Sequence, residues 1–292
     1  MTSKAWVALW TVYIIWGSTY LAIAVAVETL HPMFAVSTRF ILAGTIMALV
    51  VRFRGGSMRI SWRALGSCVI VGILLPGANA LLFYAEEDVP TGLASLIIAS
   101  VPLWVVLLRL IGRERLGTWA LVGVGVGFAG VAVLARPSGG ATSTGIALCV
   151  LSAVMWAVGS VLSRRLPMPA DPFTATSYEM LAGGFIILPF GIATMGTFAP
   201  STASILGWIY LVTIGSVVGY TAYTWLLAHA PLGTVSTYAY VNPVVAIALG
   251  VAFRNEHLTT QILIGAAIVV AAVAVVVRQE PAAVTEPEEG VR

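Results

Sequence analysis

The sequence predicts an all-α polytopic membrane protein with ten transmembrane helices, arranged as two inverted five-helix repeats. Three observations predict this fold class: the composition, the spacing of the long apolar runs, and the similarity between the two halves. The 292-residue chain is 59% hydrophobic and only 9% charged, whereas a soluble domain has about 25% charged residues. A chain with this few charged residues cannot cover a soluble globule with polar surface. The chain is therefore predicted to be surrounded largely by lipid.

Ten apolar runs have the length that a spanning helix needs, roughly 17–25 residues. They lie at 5–27, 34–51, 64–85, 92–110, 117–135, 145–163, 172–195, 205–227, 234–252 and 261–277. The first run is too long for the apolar core of a cleaved signal peptide and is predicted to be a retained span. The acidic, proline-containing segment 279–292 is predicted to be a disordered cytoplasmic tail.

The basic residues predict the orientation of these spans. With the N-terminus placed in the cytoplasm, 12 of the 15 lysines and arginines fall in cytoplasmic segments. Arg136 and Arg254 fall in outer loops, and Arg39 lies inside a span. This asymmetry follows the positive-inside rule. Both termini are therefore predicted to be cytoplasmic, and a missed span would destroy the alternation.

The two halves of the chain resemble each other, which defines repeats at 1–135 and 142–278. The matches occur at offsets of 140 and 141 residues. They are Trp16–Trp156, Pro32–Pro172, Ser37–Ser177, Gly44–Gly184, Gly92–Gly233, Ser95–Ser236 and Pro102–Pro243. Because each repeat has an odd number of spans, the two repeats must lie in the membrane with opposite orientations. Inverted repeats of this kind are typical of secondary transporters with a binding site near the midplane.

Polar and aromatic residues inside the spans are the candidates for lining such a site. Small-molecule pockets are mostly apolar and aromatic, with a few placed polar groups. The predicted cavity residues are Trp16, Ser18, Asn79, Phe83, Trp156, Tyr220, Tyr223, Tyr238 and Asn242. Close helix packing is the alternative role for the small residues, and an interhelical hydrogen bond is the alternative for Asn79.

Three prolines inside spans, Pro76, Pro102 and Pro243, predict breaks in the helices. A proline cannot donate to the carbonyl four residues earlier, which belongs to Ile98 for Pro102 and to Ala239 for Pro243. Helix breaks near the midplane are typical of transporter sites. A kink that serves only packing is the alternative.

Arg39 and Glu179 are the clear ionisable residues of the spans, and they occupy equivalent positions in the two repeats. A charge at the centre of a spanning helix costs roughly 2.5–3.5 kcal/mol on insertion scales, so each requires a compensating environment. Inversion places them at mirrored depths about 10 Å apart, which argues against direct contact. Arg39 is predicted to face the interior and to bond carbonyls or polar groups, with snorkelling as the alternative. Glu179 is the candidate proton carrier if transport is proton-coupled.

Several motifs resemble the drug/metabolite transporter superfamily and, within it, the EamA-domain family. They are "IIWGSTYLAIAV" in span one, "RFILAG" in span two, "GLASLIIASVPLW" in span four, and the glutamate and leucine at the head of span five. The similarity covers 5–278 as two EamA units, although "FRNEHL" replaces "IGRERL" in the second half with a shift of one residue. It implies a ten-helix bundle around a central cavity in a bacterial-type inner membrane. Family members export small metabolites, and amino-acid exporters of the YddG type are prominent among them.

The expected function is export of small metabolites by alternating access, with amino acids that carry aromatic or apolar side chains favoured. Drugs or sugars are alternative substrates, and a channel or a membrane-embedded enzyme is an alternative of another class. No Ser/His/Asp set, HExxH or paired-aspartate motif occurs, so no enzyme activity, cofactor, metal or nucleic-acid partner is expected. The glycine-rich stretch 123–130 lies in a span, which indicates helix packing rather than nucleotide binding. Spans five and ten are expected to pack away from the cavity or to form a dimer seam, which leaves the oligomeric state open.

Overall fold

The computed structural model describes residues 2–114, 116–136, 140–230 and 232–278; the predicted tail at 279–292 lies outside them. Within these ranges the regular structure is helical and contains no strand. The helices are α1 (Ser3–Val27), α2 (Pro32–Phe53), α3 (Trp62–Ala85), α4 (Thr91–Ile98), α5 (Val101–Ile111), α6 (Thr118–Leu134), α7 (Ser143–Ser163), α8 (Pro172–Thr194), α9 (Thr202–Tyr210), α10 (Gly219–His229), α11 (Leu232–Val235), α12 (Tyr238–Arg254) and α13 (Thr260–Arg278). A π-helical segment, Leu211–Val218, joins α9 to α10.

Every predicted span corresponds to helix in the structure. Eight helical segments of the described residues are long and apolar enough to cross a membrane, and α6 and α12 are shorter apolar helices. These two contain 17 residues each, which gives a length of about 26 Å. The all-helical, polytopic fold class is therefore confirmed, while the inverted arrangement of the repeats stays a prediction.

The two halves of the chain interleave rather than forming separate bundles. The most extensive contacts join α2 with α8 and α6 with α13, and each of these pairs takes one helix from each half. α3 packs on α7 and α8, while α1 packs on α12, α9 and α10. The centre of the molecule is consequently bounded by helices from both halves.

Small residues allow the closest of these helix crossings, where α2 meets α8. A Cβ at Gly184 would lie 3.0 Å from the carbonyl oxygen of Ser37, and a Cβ at Gly44 would lie 3.0 Å from that of Ser177. The Ser177 hydroxyl donates to the Gly44 carbonyl at 2.8 Å. Membrane helices associate through such small-residue faces because lipid supplies no hydrophobic drive between them. Two matching pairs of the repeats, Ser37 with Ser177 and Gly44 with Gly184, therefore both lie at this crossing.

The glycine-rich stretch of α6 packs against α13 of the same chain. A Cβ at Gly130 would lie 2.8 Å from Cγ2 of Ile268, and one at Gly123 would lie 2.9 Å from Cγ2 of Val276. Gly265 of α13 meets the side chain of Leu134 in the same way. Gly123 and Gly130 thus face α13 of the same chain, and a dimer seam through spans five and ten stays a prediction.

The prolines of the spans have different consequences for their helices. Span four is interrupted between α4 and α5, and Pro102 lies in the first turn of α5. α3 and α12 instead run through Pro76 and Pro243 without interruption, so the breaks predicted at these two residues do not occur. One missing hydrogen bond leaves the flanking bonds intact, and close packing of Pro76 on Gly183 supports α3 at that point. In span nine the break lies earlier, between α11 and α12.

Candidate functional site

A cavity of about 140 Å³ lies at the centre of the helix bundle. A water needs roughly 10–15 Å³ of such space, so the cavity has room for a molecule of about ten non-hydrogen atoms. Its wall comes from α1 to α5, α7, α10 and α12, and α6 and α13 contribute no described residue to it. The lining residues are Trp16, Thr19, Tyr20, Ile23, Arg39, Asn79, Leu82, Ser95, Ile98, Ala99, Val101, Pro102, Ser152, Trp156, Tyr220, Tyr238, Ala239, Asn242 and Pro243.

One side of the cavity is an aromatic cluster centred on Trp16. Its ring centroid lies 5.5 Å from that of Tyr220, 4.9 Å from that of Tyr223 and 5.1 Å from that of Tyr238. A Cβ at Gly219 would lie 2.6 Å from Nε1 of Trp16, so the glycine makes room for the indole. Such inclined ring pairs are favourable beyond the area that they bury. The cluster fixes Trp16 in one position against α10 and α12.

Two asparagine amides lie on the wall. The Asn79 Nδ2 donates to the Leu75 carbonyl at 3.2 Å, within α3, which leaves its carbonyl oxygen for the cavity. When the Asn242 amide is oriented to satisfy its neighbours, its nitrogen donates to the carbonyls of Tyr13 and Tyr238 at 3.3 and 3.2 Å. Asn242 therefore braces α12 against α1.

The structure places nine of the predicted site residues on the cavity wall and five away from it. Those on the wall are Trp16, Arg39, Asn79, Pro102, Trp156, Tyr220, Tyr238, Asn242 and Pro243. Those away from it are Ser18, Phe83, Tyr223, Glu179 and Pro76.

The residues away from the wall have packing roles in the structure. The Ser18 hydroxyl donates to the Ile15 carbonyl at 2.8 Å and lies 2.6 Å from the Tyr210 hydroxyl, so it joins α1 to α9. Phe83 is fully buried in the core. Tyr223 lies behind Trp16, in contact with its ring.

Glu179 belongs to α8, a helix with no residue on the cavity wall. Its backbone carbonyl lies against α3, where a Cβ at Gly72 would approach it to 2.5 Å. In the part of the chain that the structure describes, no ion pair joins Glu179 to Arg39. The mirrored depths expected from the sequence stay a prediction.

Arg39 points into the bundle. Its side chain is 4% exposed, and its Nε donates to the Ser216 hydroxyl at 3.1 Å. Its Cζ lies 5.1 Å from the ring centroid of Phe40 and 5.9 Å from that of Phe83. Arg39 therefore does not snorkel to the membrane interface. Ser216 belongs to the π-helical segment, and π-helical turns occur frequently at functional sites.

Several wall residues outside the predicted set share helix faces with predicted ones. Thr19, Tyr20 and Ile23 follow Trp16 by three, four and seven residues, which is the spacing of one helix face. Ser152 precedes Trp156 by four residues and lies on the same face of α7. Extending the face of each predicted tryptophan would have identified all four residues.

Glu86, just after α3, is a buried carboxyl group. It is 5% exposed, and neither carboxyl oxygen has a hydrogen-bond partner in the described structure. Burial raises the pKa of Glu86 well above its usual range, repulsion from the Glu256 carboxylate raises it further, and the Arg254 guanidinium opposes this in part. Glu86 therefore favours its protonated form in the folded protein.

Glu86→Gln is expected to raise the midpoint of thermal unfolding at pH 7 by roughly 2–8 °C. The raised pKa means that the folded state binds a proton more tightly than the unfolded state. The free energy of unfolding of the wild type therefore falls as the pH rises above about 4.3, the pKa of an unfolded glutamate. The difference in unfolding midpoint between Glu86→Gln and the wild type, measured in detergent from pH 4 to 8, should grow with pH and disappear near pH 4.

The neighbouring exposed residue Glu87 provides the control for this prediction. Its pKa is raised by partial burial and by Asp88, but the side chain is exposed. Glu87→Gln should therefore change the midpoint less than Glu86→Gln. A Glu86→Gln difference that is constant from pH 4 to 8 would contradict a proton linkage at this site.

Comparison with known proteins identifies relatives along the whole chain. The model of the EamA-like transporter family matches residues 4–136 and 143–278. The chain is 35% identical over 263 residues to the Escherichia coli K12 protein named uncharacterized inner membrane transporter YedA, covering 86% of this chain and 83% of YedA. It is 29% identical over 281 residues to an Archaeoglobus fulgidus protein named uncharacterized transporter, with 94% and 99% covered. It is 27% identical over 270 residues to protein PecM of Dickeya dadantii, with 90% and 88% covered.

A solved crystal structure shares the fold, with a TM-score of 0.65 and 24% sequence identity over 94% of this chain and 96% of its own. The family matches account for nearly all of the described helices and confirm the resemblance found in the sequence motifs. The cavity, the apolar helices and the named relatives all indicate a membrane transporter. The chain belongs to the EamA-like transporter family and is a multi-pass membrane protein.

Proposed function

We propose that this protein is a secondary transporter that exports small metabolites, with amino acids carrying apolar or aromatic side chains as favoured substrates. The observation that carries the proposal is the central cavity, in which aromatic rings and a few polar groups converge from both halves of the chain. Rings such as Trp16 and Trp156 suit the side chain of such an amino acid, while polar groups suit its charged ends. The room for about ten non-hydrogen atoms suits a free amino acid such as leucine.

Alternating access is the proposed mechanism, and the helix pairing supports it. The contacts of α2 with α8 and of α6 with α13 join equivalent spans of the two repeats. The contact of α1 with α12 has its counterpart in that of α7 with α4. This correspondence is what a pseudo-two-fold axis in the membrane plane requires. Rocking of the helices about the cavity would then expose it to each side in turn.

The proposed location is a bacterial-type inner membrane with both termini in the cytoplasm. The distribution of basic residues supports this orientation. The printed name of the YedA relative, an inner membrane transporter, supports the location.

Counterflow in proteoliposomes tests the proposed function. Vesicles containing the purified protein are loaded with unlabelled L-leucine, and the uptake of external labelled L-leucine is followed. A carrier should show saturable uptake that is accelerated by internal substrate, whereas a channel shows neither behaviour. If a panel of apolar and aromatic amino acids gives no counterflow while a sugar or drug does, amino-acid export is wrong and the alternative substrate class replaces it.

A further inference from the structure

Arg39 is a buried cation on the cavity wall, and no acidic side chain among the described residues forms an ion pair with it. Of its nitrogen atoms, only Nε has a hydrogen-bond acceptor among the described residues, the neutral Ser216 hydroxyl at 3.1 Å. Nη1 is buried and has no partner there. No aspartate or glutamate occurs among the wall residues, and no ion pair involves Arg39 in the described structure.

The surroundings of the guanidinium hold it in place without compensating its charge. The rings of Phe40 and Phe83 flank it, and Ser216 is fully buried. Gly215 lies beside the guanidinium, since a Cβ there would lie 3.7 Å from Nη2. Rings and a hydroxyl fix the orientation of an arginine, but a buried cation is best satisfied by an anion.

We infer that Arg39 binds the carboxylate of the transported substrate. A guanidinium presents parallel N–H donors that match the two oxygens of a carboxylate, and such bidentate pairs are among the strongest hydrogen bonds in proteins. A substrate without an anionic group would leave the guanidinium without an anionic partner, and a cationic substrate would be repelled. This inference rests on the proposed function, because it specifies which end of an amino acid each part of the cavity recognises.

The cavity wall also provides candidate acceptors for an ammonium group. Pro102 has no N–H to donate to the Ile98 carbonyl, and Pro243 has none for the Ala239 carbonyl. Both Ile98 and Ala239 line the cavity. Next to the first of these carbonyls, the Leu103 N–H donates to Ser100 at 2.9 Å rather than to Ala99. Carbonyl oxygens released from helices attract cations in transporters, so the two ends of an amino acid meet opposite charges.

The inference is tested by binding of four related compounds to purified protein. L-leucine carries both charges, 4-methylpentanoate only the carboxylate, and L-leucinamide and 3-methylbutylamine only the amine. Quenching of tryptophan fluorescence reports binding, because Trp16 and Trp156 lie on the wall. The wild type should bind L-leucine about 30-fold or more tightly than L-leucinamide, as expected for loss of one partner of a buried charged pair.

Substitution of Arg39 should remove this preference. Arg39→Gln should bind L-leucine and L-leucinamide with similar affinity, and Arg39→Lys, which keeps the charge without the fork, should retain part of the preference. Arg164→Gln, at an exposed arginine, should leave the preference unchanged. Size-exclusion profiles identify any Arg39 variant that fails to fold. In that case the relative affinities of the wild type for the four compounds test the inference without the variants.

The outcomes separate this inference from the proposed function. If the wild type binds L-leucine no more tightly than L-leucinamide and 4-methylpentanoate no more tightly than 3-methylbutylamine, or if Arg39→Gln keeps the preference, the inference is overturned. Counterflow of a neutral or cationic compound would still support a transporter. If L-leucine shows no counterflow but 4-methylpentanoate binds in an Arg39-dependent way, the inference stands and amino-acid export fails. Competition by inorganic phosphate at lower concentrations than 4-methylpentanoate would overturn the assignment of a carboxylate.

Discussion

Gly183→Leu is expected to abolish the folded protein, because α3 and α8 cross with their backbones in contact at this residue. A Cβ at Gly183 would lie 2.4 Å from the Gly72 carbonyl oxygen and 2.4 Å from Cβ of Pro76. On the other side of the contact, a Cβ at Gly72 would lie 2.5 Å from the Glu179 carbonyl oxygen. Neither neighbour can rotate away, since both groups belong to or are fixed by the backbone. The helices would have to separate, at a cost of about 4 kcal/mol or more.

Gly183→Ala and Gly125→Leu complete this experiment. The alanine variant adds the same Cβ and should also be destabilised, by about 1–3 kcal/mol, but less than leucine, whose larger side chain needs a wider separation of the helices. Gly125 lies in α6 with nothing within 4 Å of a Cβ placed there, so the same change to leucine should be tolerated and should gain helix propensity. Yield, monodispersity and thermal unfolding in detergent provide the measurement. A monodisperse Gly183→Leu protein that unfolds at the wild-type temperature would show that the crossing is looser than described.

Glu256→Ala is expected to destabilise the protein by about 2–4 kcal/mol, because one carboxylate caps the start of α4. Its two oxygens accept from the backbone N–H groups of Thr91 and Gly92 at 2.7 and 3.0 Å. Asn255, with φ of 53°, turns the chain after α12, and a Cβ at Gly250 would lie 2.5 Å from Oε2 of Glu256. The loop between α12 and α13 is thus shaped to deliver this carboxylate to the other half of the chain.

Loss of the cap should also loosen the end of the cavity at which α4 begins. Ser95, one turn further along α4, lies on the cavity wall and is 1% exposed, so Ser95→Cys can report access through reaction with a thiol reagent. The thiol reagent should label the double variant Ser95→Cys/Glu256→Ala faster than it labels Ser95→Cys alone. Glu87→Ala removes an exposed carboxylate at the same end of the molecule and should change neither labelling nor unfolding. Unchanged labelling and unfolding in the Glu256 variant would mean that the cap does not hold α4 in place.

The helices of the bundle could be predicted because their signal is local in the chain. A run of apolar residues long enough for the bilayer must be helical to satisfy its own backbone. The breaks were harder to locate, since Pro76 and Pro243 lie inside continuous helices while Pro102 lies beside an interruption. A proline removes one bond, and neighbouring helices decide whether the remainder of the helix holds.

The cavity wall could be predicted only where a residue type was unusual for lipid. Trp16, Asn79 and Arg39 were identifiable because tryptophan in mid-span, an amide and a charge all need a reason to be there. Thr19 and Ile23 are unremarkable residues in a membrane helix, and only their spacing from Trp16 links them to the wall. The environment of Glu86 could not be predicted, because the charges that act on it, Arg254 and Glu256, lie far away in the chain.

The sequence by itself determined that the chain is an all-helical, multi-pass membrane protein, because the composition and length of its apolar runs are sufficient to place them in lipid. The tertiary structure decided which face of each helix turns towards the cavity. That choice depends on contacts between distant segments, such as the bond between Arg39 and Ser216, which are 177 positions apart. Helix periodicity defines faces but cannot rank them when lipid and a protein interior are both apolar. The hydrogen bond of Arg39 to Ser216 was therefore visible only after the helices had packed. The same holds for the position of Glu179 on α8, a helix with no residue on the cavity wall.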